Sequence, residues 1–234
     1  LGDVYKRQVL YLHALGGREL NDYRRLNAFS PYWSLNARMP STYVPLNATL
    51  GFKASPVNGL WFNIFGGYRI SKDELFCNLV DADGYYFTHF LQDKAKTAYG
   101  GAELKYGYKD WFDASLKGTF YSWKTDNENE ELYLMTKPKF ELNFYAEAKV
   151  FEGLKVYLGY EYVQRKEYVI EEGNSSRDFG LGNISNLSVG ASYTFLKDLS
   201  VFGRVNNLLN KQYYYEYGYP AEKLNVLTGL SLAF

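Results

Sequence analysis

Across most of this chain, apolar and polar side chains alternate one for one. The clearest stretch is Lys139 to Val150. Phe140, Leu142, Phe144, Ala146, Ala148 and Val150 fall on one side, and Lys139, Glu141, Asn143, Tyr145, Glu147 and Lys149 on the other. Successive residues of a β-strand point to opposite faces, whereas a helix repeats every 3.6 residues, so this pattern specifies a strand with one apolar and one polar face. The same alternation marks 44–54, 60–70, 97–108, 111–123, 154–162, 186–195 and 226–234. With the run around Val201–Val205, it predicts nine strands from residue 42. A weaker alternation near 9–20 raises the total to about ten. Short turns are expected at Ser55–Gly59, Lys109-Asp110, Phe151–Gly153 and Lys197-Asp198. Long loops are expected at Asn21–Ser41, Lys72–Lys94, Thr125–Lys137, Val169–Ile184 and Asn210–Lys223.

An antiparallel sandwich also alternates. The predicted strands, however, run to about 11–14 residues, above the globular mode of about 5–6. Spanning hydrocarbon takes about 9–11 residues per strand. The charged face, the uncharged apolar face and the short-turn, long-loop asymmetry together fit a transmembrane β-barrel with a wet interior. The 24 Tyr, 16 Phe and 4 Trp suit aromatic girdles, for which Tyr106, Tyr108, Trp111, Phe112, Tyr121 and Trp123 near strand ends are candidates. The longest apolar runs are a few residues, too short for a membrane-spanning helix. Lys plus Arg and Asp plus Glu each number 26, so there is no basic excess to recruit nucleic acid. Cys77 is the lone cysteine, which excludes an internal disulfide. His13 and His89, the two histidines, leave little for a His-based metal or catalytic cluster. The first eight residues, Leu1 to Gln8, resemble a translated sequencing adapter and are set aside as a non-native lead-in.

The C-terminal strand alternates and ends on Phe. Gly229, Leu232 and Phe234 resemble the signal read by the bacterial barrel assembly machinery, although that signal usually has a polar residue where Leu227 stands. Before it, Asn207-Leu208-Leu209-Asn210-Lys211-Gln212-Tyr213, followed by Gly218-Tyr219-Pro220 and a last strand, resembles the C-terminal end of TonB-dependent outer-membrane receptors. The aromatic, Asn-rich style is similar to receptors of Bacteroidetes. The resemblance is close over about the last 35 residues and looser over 42–234. It implies a barrel of roughly twenty-two strands around an N-terminal plug, which at about 21 residues per strand needs roughly 460 residues before any plug. The expectation is therefore an antiparallel up-and-down barrel portion over residues 9–234, with plug and energy-coupling segment lying upstream. The implied partners are outer-membrane lipid, the plug, an energy-coupling complex and the assembly machinery; no cofactor is implied.

The loop Lys211–Pro220 carries Tyr213, Tyr214, Tyr215, Tyr217 and Tyr219. Such rings could stack on sugars or hold an aromatic chelator, or could form interfacial packing. Tyr85, Tyr86, Phe87 and Phe90 pose the same choice. Asp81-x-Asp83-Gly84 is too short for a calcium loop. Glu103, Lys105, Asp113, Lys117, Glu141, Glu147, Lys149 and Glu161 read as a hydrated wall rather than a catalytic set. An enzyme would need a complete ten-stranded barrel with His89 as its acid–base group, and a passive porin would share the wall alone. Closure of a ten-stranded barrel requires 9–20 to pair with 224–234; two unpaired edges, or only a strained closure, are expected instead. Many Tyr and few clustered charges in the loops favour a neutral, ring-bearing ligand such as an oligosaccharide, slightly ahead of a siderophore or cobalamin.

Overall fold

The computed structural model describes residues 8–31, 33, 39–82, 85–128, 133–165, 169–172, 175–178, 181–216 and 219–232. For 78–82, 85–88, 169–172, 175–178 and Glu216 the backbone alone is described. The strands are β1 (Gln8–Glu19), β2 (Thr42–Val57), β3 (Leu60–Ala82), β4 (Tyr85–Tyr108), β5 (Phe112–Thr125), β6 (Pro138–Phe151) and β7 (Leu154–Arg165). There follow β8 (Val169–Glu172), β9 (Ser175–Asp178), β10 (Ile184–Leu196), β11 (Leu199–Asn206), β12 (Tyr214–Glu216), β13 (Tyr219–Pro220) and β14 (Asn225–Leu232). One short helix, α1 (Tyr23–Phe29), lies between β1 and β2 and is capped by the Asp22 side chain.

Ten strands form one antiparallel sheet in the order β1-β2-β3-β4-β5-β6-β7-β10-β11-β14. The expected up-and-down order and strand count are present, including the weak strand near 9–20. Gln8, assigned to the lead-in from the sequence, pairs with Ala54 and belongs to β1. Among the described residues β1 and β14 each have a single neighbour, so the sheet has two free edges and no ten-stranded closure.

Through the middle of the sheet the register places the charged residues on one face. Asp113 opposes Glu147, Lys117 opposes both Glu103 and Asn143, and Asn143 opposes Glu161. This is the lumen face. On the exterior face Ala102, Leu104, Leu116, Leu142, Phe144 and Leu158 form an uncharged band. At the short-turn end that band meets a belt in which Tyr108 contacts Trp111 and Tyr106 contacts Phe112. Tyr121 and Trp123 do not join a girdle. Their parity turns them to the lumen, where the Tyr121 hydroxyl donates to Glu141 at 2.9 Å and Trp123 packs under an outer loop.

Aromatic rings on the lumen face lie across glycines of the neighbouring strand. Tyr11 covers Gly51, Tyr99 covers Gly67, Tyr157 covers Gly190 and Phe202 covers Gly229. A methyl group at Gly190 would sit 2.2 Å from the Tyr157 ring. Each glycine removes a side chain where the ring must lie flat, and the pair fixes the local register. Gly190→Ala is expected to cost about 1–3 kcal/mol by displacing Tyr157. Thermal unfolding by circular dichroism checks this. Adding Tyr157→Ala to Gly190→Ala should cost less than the sum of the two single changes.

The segment Lys72–Lys94, expected to be a loop, is instead an extended hairpin. β3 and β4 run to 23 and 24 residues and remain paired out to Ala82 and Tyr85. Alternation fails there because both faces are covered. Leu75, Cys77 and Phe90 pack beneath Leu26 of α1, with Trp33 and Met39. The adjacent Phe76 turns to the other face, against Ala95, Leu134 and Met135. A strand buried on both sides reads as a continuous apolar run, here Leu75-Phe76-Cys77. Phe90 is thus a packing residue.

At the base of this hairpin the buried Glu74 carboxylate pairs with Arg69 at 2.7 Å and Lys137 at 3.6 Å. Arg69 also reaches Glu19 at 3.1 Å, which in turn holds Arg25 at 2.7 Å. The Lys137 ammonium donates to the Leu75 carbonyl at 3.0 Å and lies 4.8–4.9 Å from the Trp123 and Phe76 rings. Burial pushes its pKa down, against the opposing pull of Glu74. Arg69→Ala would strip Glu74 of its nearest countercharge at a cost of about 3 kcal/mol. Faster hydrogen exchange at the Leu75–Cys77 amides, with β6–β7 amides unchanged, is the expected readout.

Candidate functional site

The mouth of the lumen over β7, β10 and β11 is built by three polar clamps. Asn207, 1% exposed, has a left-handed backbone (φ 47°) that asparagine tolerates better than most residues. Its Nδ2 donates to the carbonyls of Lys211 and Glu222 at 2.7 and 3.1 Å. Its Oδ1 accepts from the Lys211 amide at 3.1 Å, and its own N–H donates to Asn186. Asn210, also left-handed (φ 49°), accepts from the Leu224 amide at 3.2 Å. The Asn207 bonds need a side chain that both donates and accepts, whereas Asn210 accepts only. The Asn-Leu-Leu-Asn-Lys block is therefore a lock on the 207–224 loop. The third clamp is Arg165. Its Nε donates to Gly182 O at 3.0 Å, and its Nη2 donates to Leu181 O and Tyr214 O, joining two outer loops. Nothing in the sequence around Arg165 singles it out.

The tyrosines divide. Tyr213 is buried and meets Tyr215 edge to face at 5.5 Å. Tyr214 is partly buried, and its hydroxyl accepts from Gln212 at 2.8 Å. Tyr215 is half exposed, and its hydroxyl donates to Glu161 at 3.3 Å. Tyr217 and Phe234 lie outside the described residues. Tyr85 and Tyr86 open β4, paired with Ala82 and Asp81; their side chains lie outside the description, as do Asp83 and Gly84. Gly229 lies under Phe202 on β14, and Leu232 is exposed near the end of that strand.

Below Tyr215 the lumen face forms a hollow of about 430 Å³ whose lining includes Asn143, Tyr145, Glu161, Asn186, Ser188 and Arg204. Amides, hydroxyls, one carboxylate and one guanidinium surround it, with tyrosine rings at its rim. This set can orient a polar, largely neutral solute through directional hydrogen bonds. A larger depression of about 590 Å³ lies mainly against the outward-facing Ala146, Ala148, Val156 and Ala191, on the apolar side of the wall. Two ion pairs run along the wall, Lys105 with Glu103 at 2.9 Å and Lys155 with Glu147 at 3.4 Å. His89 is exposed beside buried Phe90, and His13 lies 5.0 Å from the Tyr11 ring on β1. Among the described residues no three His, Cys, Asp or Glu side chains gather as a metal site would require.

Burial, reinforced by the Glu161 charge, pushes the Tyr215 phenol above its ordinary value. A raised acid favours the folded loop below the unfolded pKa of about 10 and loses that contribution as pH rises beyond it. Protease cleavage within 208–224 of the assembled barrel should therefore accelerate above about pH 10. Tyr215→Phe should flatten that rise.

No protein-family model matches the sequence, and no curated protein does. Solved structures do match. The pyoverdine outer membrane receptor FpvA from Pseudomonas aeruginosa aligns at a TM-score of 0.67 and 15% identity, over 97% of this chain and 34% of that one. The copper transporter OprC aligns at 0.64 and 12%, over 99% and 38%. The ferric-catecholate import receptor Fiu from E. coli aligns at 0.64 and 13%, over 97% and 33%. The chain thus spans about a third of these structures. At such identities the likeness is one of fold, an antiparallel up-and-down β-barrel wall.

Proposed function

We propose that this chain is the C-terminal wall segment of a larger, plugged TonB-dependent receptor in the bacterial outer membrane. There it would take up a scarce solute and would carry out no chemistry on it. The observation that carries this reading is the open ten-stranded sheet, whose full length aligns with about a third of the receptor and transporter barrels above. Two free edges ask for further strands, since unpaired backbone groups cost several kcal/mol each in hydrocarbon. They also disfavour a complete ten-stranded enzyme barrel. In this reading the remaining strands and the plug belong to the same protein, and an energy-coupling complex acts through its N-terminal region.

The solute we favour is a neutral, ring-bearing one such as an oligosaccharide. The hollow beneath Tyr215 supports this, since it offers amides and hydroxyls with the single guanidinium of Arg204 rather than a cationic cluster. Tyr214, Tyr215 and Tyr217, with Tyr85 and Tyr86 across the mouth loops, are the proposed aromatic contacts. Tyr213 packs edge to face against Tyr215. The test uses the intact receptor in a planar bilayer and in ligand-binding measurements. A closed conductance state, together with oligosaccharide binding that falls at least about tenfold in a Tyr214→Ala, Tyr215→Ala double variant, is expected. A steady open pore would replace the receptor with a porin, and unchanged affinity in an assembled variant would remove the reason for preferring a sugar.

A further inference from the structure

The lumen carboxylates are not equally occupied. Glu103 holds Lys105 at 2.9 Å, and Glu141 accepts from Tyr121 at 2.9 Å. Glu147 accepts from Tyr145 at 2.9 Å and pairs with Lys155. Glu161 is different. It is partly buried in the lining of the hollow of about 430 Å³. Among the described residues it accepts one hydrogen bond, from Tyr215 at the long distance of 3.3 Å. An ionised carboxylate offers about four acceptor positions, so most of its capacity is open to whatever enters the hollow. The one cation in the lining does not neutralise it. Arg204 opposes Gly190 on β10, whereas Glu161 opposes Asn186. Those two positions stand four residues apart, or roughly 13 Å along the strand.

Donors flank this carboxylate. Asn143 on β6 and Asn186 on β10 are its direct cross-strand neighbours, which puts their side chains on the same face about 5 Å away. Asn186 Oδ1 accepts from the Asn207 backbone N–H at 3.1 Å. That bond fixes the orientation of the amide and leaves Nδ2 to donate. Asn143 is exposed and free to present its own Nδ2. Next to Glu161 on this face stands Gly159, where a methyl group would come 2.9 Å from Ser188 Oγ. The row therefore reads donor, acceptor, donor across three strands, roughly 10 Å wide, beside a floor without a side chain. A hydroxyl group both donates and accepts. Two adjacent ring hydroxyls can thus both donate to Glu161 while their oxygens accept from the two amides. An anionic chelate would instead meet an unneutralised negative charge, which selects against it.

We propose that Glu161 is the specificity-determining residue of the hollow. It accepts from both hydroxyls of a vicinal diol on a neutral sugar ring, Asn143 and Asn186 donate to the same two oxygens, and the Tyr215 hydroxyl gives up its bond to make way. The inference rests on the saccharide reading of this site. The test titrates the intact receptor in nanodiscs with linear hexasaccharides of glucose, mannose, galactose and xylose, and then with monodeoxy derivatives of the tightest binder. Hydrogen bonds to a charged acceptor are the strong ones, so Glu161→Gln should weaken binding at least about tenfold. Removing either hydroxyl of the recognised pair should cost the wild type a similar factor, and the Glu161→Gln receptor little further. Tyr215→Phe keeps the ring and frees the carboxylate, so it should tighten binding roughly threefold. A Tyr215–Glu161 bond that only held the loop would move both variants the same way. An assembled, heat-modifiable Glu161→Gln receptor that binds as tightly as wild type would overturn the inference and leave the saccharide reading in place. So would equal deoxy losses in the two receptors, or weaker binding by Tyr215→Phe. A wild-type receptor that binds none of the four hexasaccharides would overturn the saccharide reading and this inference together.

Discussion

Register governs every inward or outward assignment in this molecule. A strand side chain faces the lumen or the membrane according to parity alone, and a slip of one residue would exchange the two faces throughout a strand. Here the register is held by more than the backbone ladder. Rings lying across glycines on the partner strand, as Tyr157 does on Gly190, admit one alignment and penalise its neighbours. The separation of a charged lumen from an uncharged exterior band follows from those contacts. Where the apolar band ends, the same pairing that turns Ala95 and Thr97 inward turns Lys96 outward.

Above the membrane band the organising force changes. The β3–β4 hairpin is a two-sided core in miniature, with α1 on one face and the Leu134–Met135 segment on the other. Glu74 is the polar centre of that core. Its carboxylate has left water for two cations, one of which, Lys137, is itself enclosed by aromatic rings. Such an arrangement contributes little net stability if complete, yet breaking one partner is costly. It therefore specifies how three outer segments meet more than how tightly they do so. Over β7, β10 and β11, Asn207 and Arg165 reach the same end with neutral carbonyls as partners.

The membrane-facing part of the fold is legible in the sequence because burial on one face leaves a period of two. Phe140 to Val150 and Leu154 to Tyr162 display it fully. The hairpin beyond Ser71 is not legible, since Leu75 and Phe76 are both buried and no period distinguishes them. The girdle assignment of Trp123 failed for a related reason. Aromatic identity near a strand end does not reveal parity, and Trp123 shares the inward parity of Thr119 and Tyr121. Within the mouth, the asparagines of 207 and 210 stand out as a motif while their work, holding backbone, shows only in the bonds. Arg165 has no signal because its partners are carbonyls, which every residue supplies. Tyr213 and Tyr215 look equivalent in the sequence, but one is buried and the other, half exposed, donates its hydroxyl to Glu161.

The double-sided packing of the β3–β4 hairpin also constrains how this outer projection can vary in length. Surface loops ordinarily absorb insertions and deletions freely. Between Glu74 and Asp93, however, adding one residue to a single strand would send Phe76 toward the α1 side and Leu75 toward the Leu134–Met135 side, exchanging two cavities of different shape. Length changes there are accommodated in matched pairs, one residue on each strand, or at the far end beyond Ala82 and Tyr85. The part of the hairpin around Leu75 and Phe76 thus has the constraints of a protein core, in which substitution within a fixed frame is tolerated better than a change of length.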